Sequence, residues 1–235
     1  MSEPAIAITF VDPARDVHGT ARSGLTLLFD GRSADSHPDG PVVNGDASGW
    51  HAALAGKLEL EFSPVGAVSE LGGARVHLCT VTGDAAGSRI DGLGAVTETV
   101  TAPRWDELDA LRSVYAFFDP EHAVVAFARR PLGASGHGDE LVSAELWSAG
   151  ELMAIEDARI STTYDGEGRP RQAGLELWLP GEDFPRRAFG TVTAGASLAF
   201  DELDVHAAVM AWRMEGREGA GLYELTVRAP TPAAA

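Results

Sequence analysis

The residues best placed for chemistry lie on alternating stretches in the second half of the chain. From Asp204 to Met214, one face of a strand would carry Asp204, His206, Ala208, Met210, Trp212 and Met214. Turned into a barrel, that face would leave room above the small Ala208, beside Met210 and Trp212, for a ligand. His206, whose imidazole titrates near neutrality, would then give or take a proton. The competing reading packs Met210, Trp212 and Met214 as core and leaves His206 at the rim, because methionines and aromatics usually fill volume. On Leu141 to Trp147, Glu145 shares a face with Trp147. A carboxylic acid beside an indole in an apolar cavity has its pKa raised by desolvation and can protonate an alkene or enol. The alternative sets Glu145 against water, since glutamate is rarely buried without a partner. Glu176 and Trp178 pose the same choice. There Glu59 and Glu61 on the matching strand of the first half favour an outer surface, with Trp178 in the contact between units. Tyr164, followed by Asp165-Gly166, ends a strand and offers its hydroxyl to a ligand at a barrel mouth. The expected catalytic residues are therefore His206 and Glu145, and the expected ligand-binding residues Trp147, Tyr164, Met210 and Trp212.

Other chemistries are poorly provided for. The seven histidines show no His-x-His or His-x-x-x-His spacing and Cys79 is the single cysteine, so neither a metal site nor an intrachain disulfide is expected. Lys57 is the only lysine, which leaves no good candidate for a Schiff base or a phosphate-loop lysine. No Gly-x-Ser-x-Gly is present, and Gly133-Ala134-Ser135-Gly136-His137-Gly138 precedes a strand rather than the helix a phosphate cradle needs. No cofactor is expected. A formal charge of −17 opposes nucleic acid and anionic lipid as partners. The start of the chain lacks a basic segment followed by a long apolar run, and no stretch approaches about 18 uninterrupted apolar residues. The expectation is a cytoplasmic protein without membrane insertion, with a homodimer admitted as an assembly.

The elements that must position these residues follow from a repeat. Gly92-Leu93-Gly94-Ala95-Val96-Thr97-Glu98-Thr99-Val100-Thr101-Ala102-Pro103 returns ungapped as Gly219-Ala220-Gly221-Leu222-Tyr223-Glu224-Leu225-Thr226-Val227-Arg228-Ala229-Pro230, with six of twelve positions identical. Each copy closes a segment that opens alike. Phe10-Val11-Asp12-Pro13 leads to Val17 and Ala21-Arg22, and Phe117-Phe118-Asp119-Pro120 leads to Val124 and Ala128-Arg129. Units are placed at 1–104 and 115–230, joined by a short helical linker over 105–114 and followed by a disordered tail at 231–235. Leu58-Glu59-Leu60-Glu61-Phe62 alternates as a half-buried antiparallel strand must. About fourteen such strands at spacings of about 8–12 residues, separated by glycine-rich turns, describe an all-β fold of two barrel units. Asp30 to Gly49 reads as a long surface loop. Leu152 to Thr163 reads as one strand.

At the Gly-x-Gly stretches the sequence resembles the lipocalin-related two-barrel proteins that include carotenoid 1,2-hydratase (hydroxyneurosporene synthase), AttH-like proteins and their uncharacterised bacterial relatives. The ending Gly216-Arg217-Glu218-Gly219-Ala220-Gly221-Leu222-Tyr223-Glu224 is similar to their Gly-Arg-x-Gly-x-Gly-x-x-Glu strand. In the first half the relatives follow Gly-x-Gly with a polar block of Arg-Asp-His-Ser-Trp-Gly type, where this chain has Val96-Thr97-Glu98-Thr99-Val100-Thr101. The resemblance implies two tandem lipocalin-like (calycin) antiparallel barrels and ligands that are large and apolar, isoprenoid or polyketide-like. Two functions are carried forward. One is binding of a small apolar molecule in a barrel pocket, with cofactor-free hydration, isomerisation or cyclisation. The other is a non-catalytic β scaffold or protein-interaction module.

Overall fold

The computed structural model describes residues 5–200 and 202–228, so the 231–235 tail and Ala229-Pro230 of the second motif lie outside it. The first unit contains β1 (Ala5–Asp12), β2 (Val17–Arg22), β3 (Leu25–Asp30), β4 (Ser33–His37), β5 (Val42–Asp46), β6 (Gly49–Leu54), β7 (Leu58–Pro64), β8 (Ser69–Leu71), β9 (Ala74–Ala85) and β10 (Ser88–Thr99). The second contains β11 (Leu108–Asp119), β12 (His122–Pro131), β13 (Leu141–Ser148), β14 (Glu151–Met153), β15 (Asp157–Tyr164), β16 (Pro170–Trp178), β17 (Arg186–Phe200), β18 (Leu203–Met214) and β19 (Arg217–Arg228). The strands form two curled antiparallel sheets, ordered β4-β3-β2-β1-β10-β9-β7-β6-β5 and β14-β13-β12-β11-β19-β18-β17-β16-β15. The two paths correspond strand for strand. β8, which pairs with β9, is the addition.

Each Gly-x-Gly sits where the first and last strands of a unit pair. Phe10 lies opposite Gly94, and Ala116 opposite Gly221. A Cβ on Gly94 would overlap the Thr9 carbonyl oxygen and one on Gly221 the Tyr115 carbonyl oxygen, so only glycine permits the backbones to approach this closely. The same pairings correct the phase of the repeat. Phe10 corresponds to Ala116, not Phe117, and Arg22, opposite Ala7, corresponds to Phe127, opposite Ser113, rather than to Arg129. A bulge between Phe117 and Asp119 and a shorter turn absorb the offset. Packing compensates on the inner face, with large Phe10 over Gly19 in one unit and small Ala116 beside Val124 in the other.

Three other expectations are corrected. The 105–114 linker is a single 3-10 turn at Trp105–Glu107 that runs straight into β11. Leu108, Ala110, Arg112 and Val114 are all buried and alternate with half-exposed residues, and the sheet rewards that period of two over the helical spacing of Trp105, Leu108 and Leu111. The 30–49 stretch is built into two exposed edge hairpins, β3–β4 and β5–β6. Leu152 to Thr163 is broken between Met153 and Asp157.

Alternation gives every central strand two apolar jobs. Inward faces fill the units, with Ile8, Phe10, Leu60, Phe62, Val81 and Val96 in the first. Ala116, Val124, Met210, Trp212, Met214 and Tyr223 do so in the second. Outward faces pack the units on each other. Val11, Leu78 and Ala95 meet Tyr115, Phe117, Val125 and Trp147. Leu25, Leu27 and Phe29 meet Val209 and Leu222.

Candidate functional site between the two units

The outward faces do not close completely. They leave a cleft of about 380 Å³ whose walls include Trp105, Leu111, Phe127, Leu203 and Val205 and whose polar residues include Arg22, Thr97, Tyr115, Glu224 and Thr226. Strand register explains why these residues meet. On β11, Leu111, Ser113 and Tyr115 point outward while Arg112 and Val114 point in, and on β19, Glu224 and Thr226 are outward while Tyr223 and Leu225 are inward. Across the first sheet, Arg22, Ala7 and Thr97 form one row. Thr97 and Glu224 hold equivalent places in the two copies of the repeated motif, as do Thr99 and Thr226, so the motif lines the cleft from both sides.

The polar residues are mutually bonded. Arg22 Nη1 donates to Glu224 Oε2 at 2.8 Å, and Thr226 Oγ1 donates to Glu224 Oε1 at 3.3 Å. The Glu224 carboxylate raises the Arg22 pKa further above its ordinary value, against the opposing effect of burial. Tyr115 OH and Thr97 Oγ1 lie 3.0 Å apart, and the Tyr115 ring meets Phe127 edge-on at 6.0 Å. Burial pushes the Tyr115 phenol up to about 12, with the Thr97 hydrogen bond opposing the rise, so the hydroxyl is a protonated donor at neutral pH. The cleft thus combines a hydrogen-bond donor and a carboxylate with large apolar walls.

The residues singled out from sequence fall elsewhere. Met210 and Trp212 are fully buried in the second unit's core. His206 is half-buried on β18, its Nδ1 2.7 Å from Ser197 Oγ. Glu145 and Trp147 do share a face, but it is turned to the first unit, where Trp147 Nε1 donates to Ala67 O at 2.8 Å. Burial pushes the Glu145 carboxyl up from its ordinary value, opposed by the Ser69 hydroxyl. Tyr164 OH lies 3.3 Å from Tyr223 OH inside the second unit. Tyr223 OH in turn is 3.0 Å from Thr162 Oγ1, which accepts from Arg112 at 3.1 Å, and Arg112 is ion-paired with Glu140. Trp178 carries Arg159 of its own unit over its ring, 4.7 Å from the centroid. None of the six expected site residues lines the cleft. Among the described residues no group of three or more His, Cys, Asp or Glu side chains could hold a metal.

No protein-family description matches the sequence, and no curated protein matches it. Solved structures do match in fold. An AttH-type protein from Nitrosomonas europaea aligns with a TM-score of 0.60 and 13% identity, covering 94% of this chain and 91% of that one. Kievitone hydratase from Nectria haematococca aligns with a TM-score of 0.61 and 8% identity, covering 97% of this chain and 90% of that one. The chain shares the two-unit, curled antiparallel β fold of these two proteins. Within this two-barrel frame, Glu224 and Thr97 were legible as equivalent positions of the repeat. Arg22 and Tyr115 carried no local signal, because their place in the cleft depends on how the two sheets face each other. Among the described residues no helix is long and apolar enough to cross a membrane.

Proposed function

We propose that the inter-unit cleft binds a small, largely apolar molecule bearing an oxygen function, and that the protein acts on it by cofactor-free proton transfer. The observation that carries this reading is the composition of the cleft, apolar walls around one phenol donor and one Arg-paired carboxylate. Tyr115 donates a hydrogen bond to the ligand oxygen, and Glu224, oriented by Arg22 and Thr226, takes or returns a proton. The walls fix the ligand against these groups, so positioning supplies much of the effect. Hydration, isomerisation and cyclisation of isoprenoid or polyketide-like compounds all fit such a site, and a hydratase stands among the proteins of like fold.

The test is a thermal-shift and native mass-spectrometry screen against isoprenoids, fatty acids, sterols and polyketide-like compounds. A ligand at about a hundred times its dissociation constant adds roughly 2.7 kcal/mol to stability. The expected result is a specific hit that Tyr115→Phe weakens and that Val205→Trp, which fills the cleft, abolishes. A folded protein that none of these classes shifts would overturn the proposal in favour of the scaffold reading.

A further inference from the structure

A second cavity, of about 470 Å³, opens where the β3–β4 turn of the first unit approaches β17 of the second. Its lining includes Arg32 from that turn, Asp165, Arg169 and Arg171 from around the β15–β16 turn, and Thr193 and Ala194 of β17. The chain has 18 Lys and Arg against 35 Asp and Glu, so three arginines converging on one cavity with a single acid in its lining run against the bulk charge.

The acid is already committed. Asp165 Oδ2 accepts from Arg169 Nε at 2.9 Å and lies 3.3 Å from Arg171 Nη2, while Oδ1 accepts the backbone N–H groups of Glu167 and Arg169 at 2.9 and 3.0 Å. Arg169 also meets the exposed Glu167 at 2.8 Å. Arg32 has no ion pair among the described residues, and Arg171 spends only one edge of its guanidinium. Two cationic forks from different units are therefore open towards the same space. Small side chains line the β17–β18 side of that space, and the bulge between Val192 and Ala194 takes Thr193 out of the ladder.

We propose that this cavity is an oxyanion site of the phosphate class, with Arg32 of the first unit and Arg171 of the second gripping one dianion and Arg169 fixing the Asp165 turn beneath it. Planar guanidinium groups match the tetrahedral face of phosphate by paired N–H donors, and two of them favour a dianion over a monocarboxylate. An occupied site ties the β3–β4 turn to the β15–β16 turn. It is independent of the apolar cleft, which shares none of its lining residues.

Isothermal titration calorimetry with inorganic phosphate in a low-salt zwitterionic buffer tests it, with acetate as the monocarboxylate comparison. The expected result is one saturable site for phosphate, weakened by added sodium chloride, with acetate binding at least about tenfold more weakly. Arg32→Gln and Arg171→Gln should each weaken phosphate about tenfold or more while melting like the wild type without phosphate. Arg159→Gln, which removes the cation over Trp178 outside the cavity, should bind as the wild type. The absence of a saturable site, or Arg32→Gln and Arg171→Gln variants of unchanged affinity, would overturn the assignment.

Discussion

Arg22 and Glu224, separated by 202 positions in the sequence, are joined at 2.8 Å across the line where the two units meet. The pair belongs to neither unit's core. Its existence depends on β2 of the first sheet and β19 of the second presenting outward residues at the same height.

A double-mutant cycle of Arg22→Ala and Glu224→Ala should return a coupling of about 1 kcal/mol, at the upper end for partly exposed pairs, because Arg22 retains 33% of its side-chain exposure. Urea denaturation at low salt and again in sodium chloride checks it, and the coupling should shrink with salt. A coupling of zero at both salt levels would mean the pair contributes nothing to holding the units together.

Gly221→Ala should be among the most damaging single substitutions, costing roughly 3 kcal/mol or more, because the added Cβ overlaps the Tyr115 carbonyl oxygen and the closing strand pair must part. Gly136→Ala, where a Cβ meets nothing within 4 Å, is the matched control and should change stability by less than about 0.5 kcal/mol. Melting temperatures of the two variants decide the matter, and equal values would refute the close-approach account of the motif.

Glu145→Gln should stabilise the protein at neutral pH. Burial raises the folded-state pKa of Glu145 above its ordinary 4.5, so the folded protein holds the proton more tightly than the unfolded chain. The stabilisation this gives is complete below the unfolded pKa and is lost as pH rises through the folded one. The glutamine variant never ionises and should escape that loss. Its urea midpoint should exceed the wild type's at about pH 7 and match it near pH 4. A lower midpoint at pH 7 would show that the carboxylate is favourably held where it lies.

Much of the architecture was legible in the chain itself. Period-two alternation such as Leu58-Glu59-Leu60-Glu61-Phe62 dictates a strand with one buried face, and glycines at two matching places dictate two matching closures. The repeat therefore determined an all-β body of two like units. Alternation, however, states only that a strand has two faces. It does not say which face looks into a barrel and which looks at the neighbouring unit when both are apolar. Ala207 and Val209 are as buried as Ala208, Met210 and Trp212, yet the first pair meets the other unit and the second set fills the core. Glu145 beside Trp147 was correctly paired from sequence, and only the docking of the sheets turned that face towards Ser69 and Ala67. The cleft is decided at the same level. Arg22, Thr97, Tyr115 and Glu224 become one site because two curved surfaces cannot meet without a gap, and where the gap falls is a property of the packed pair.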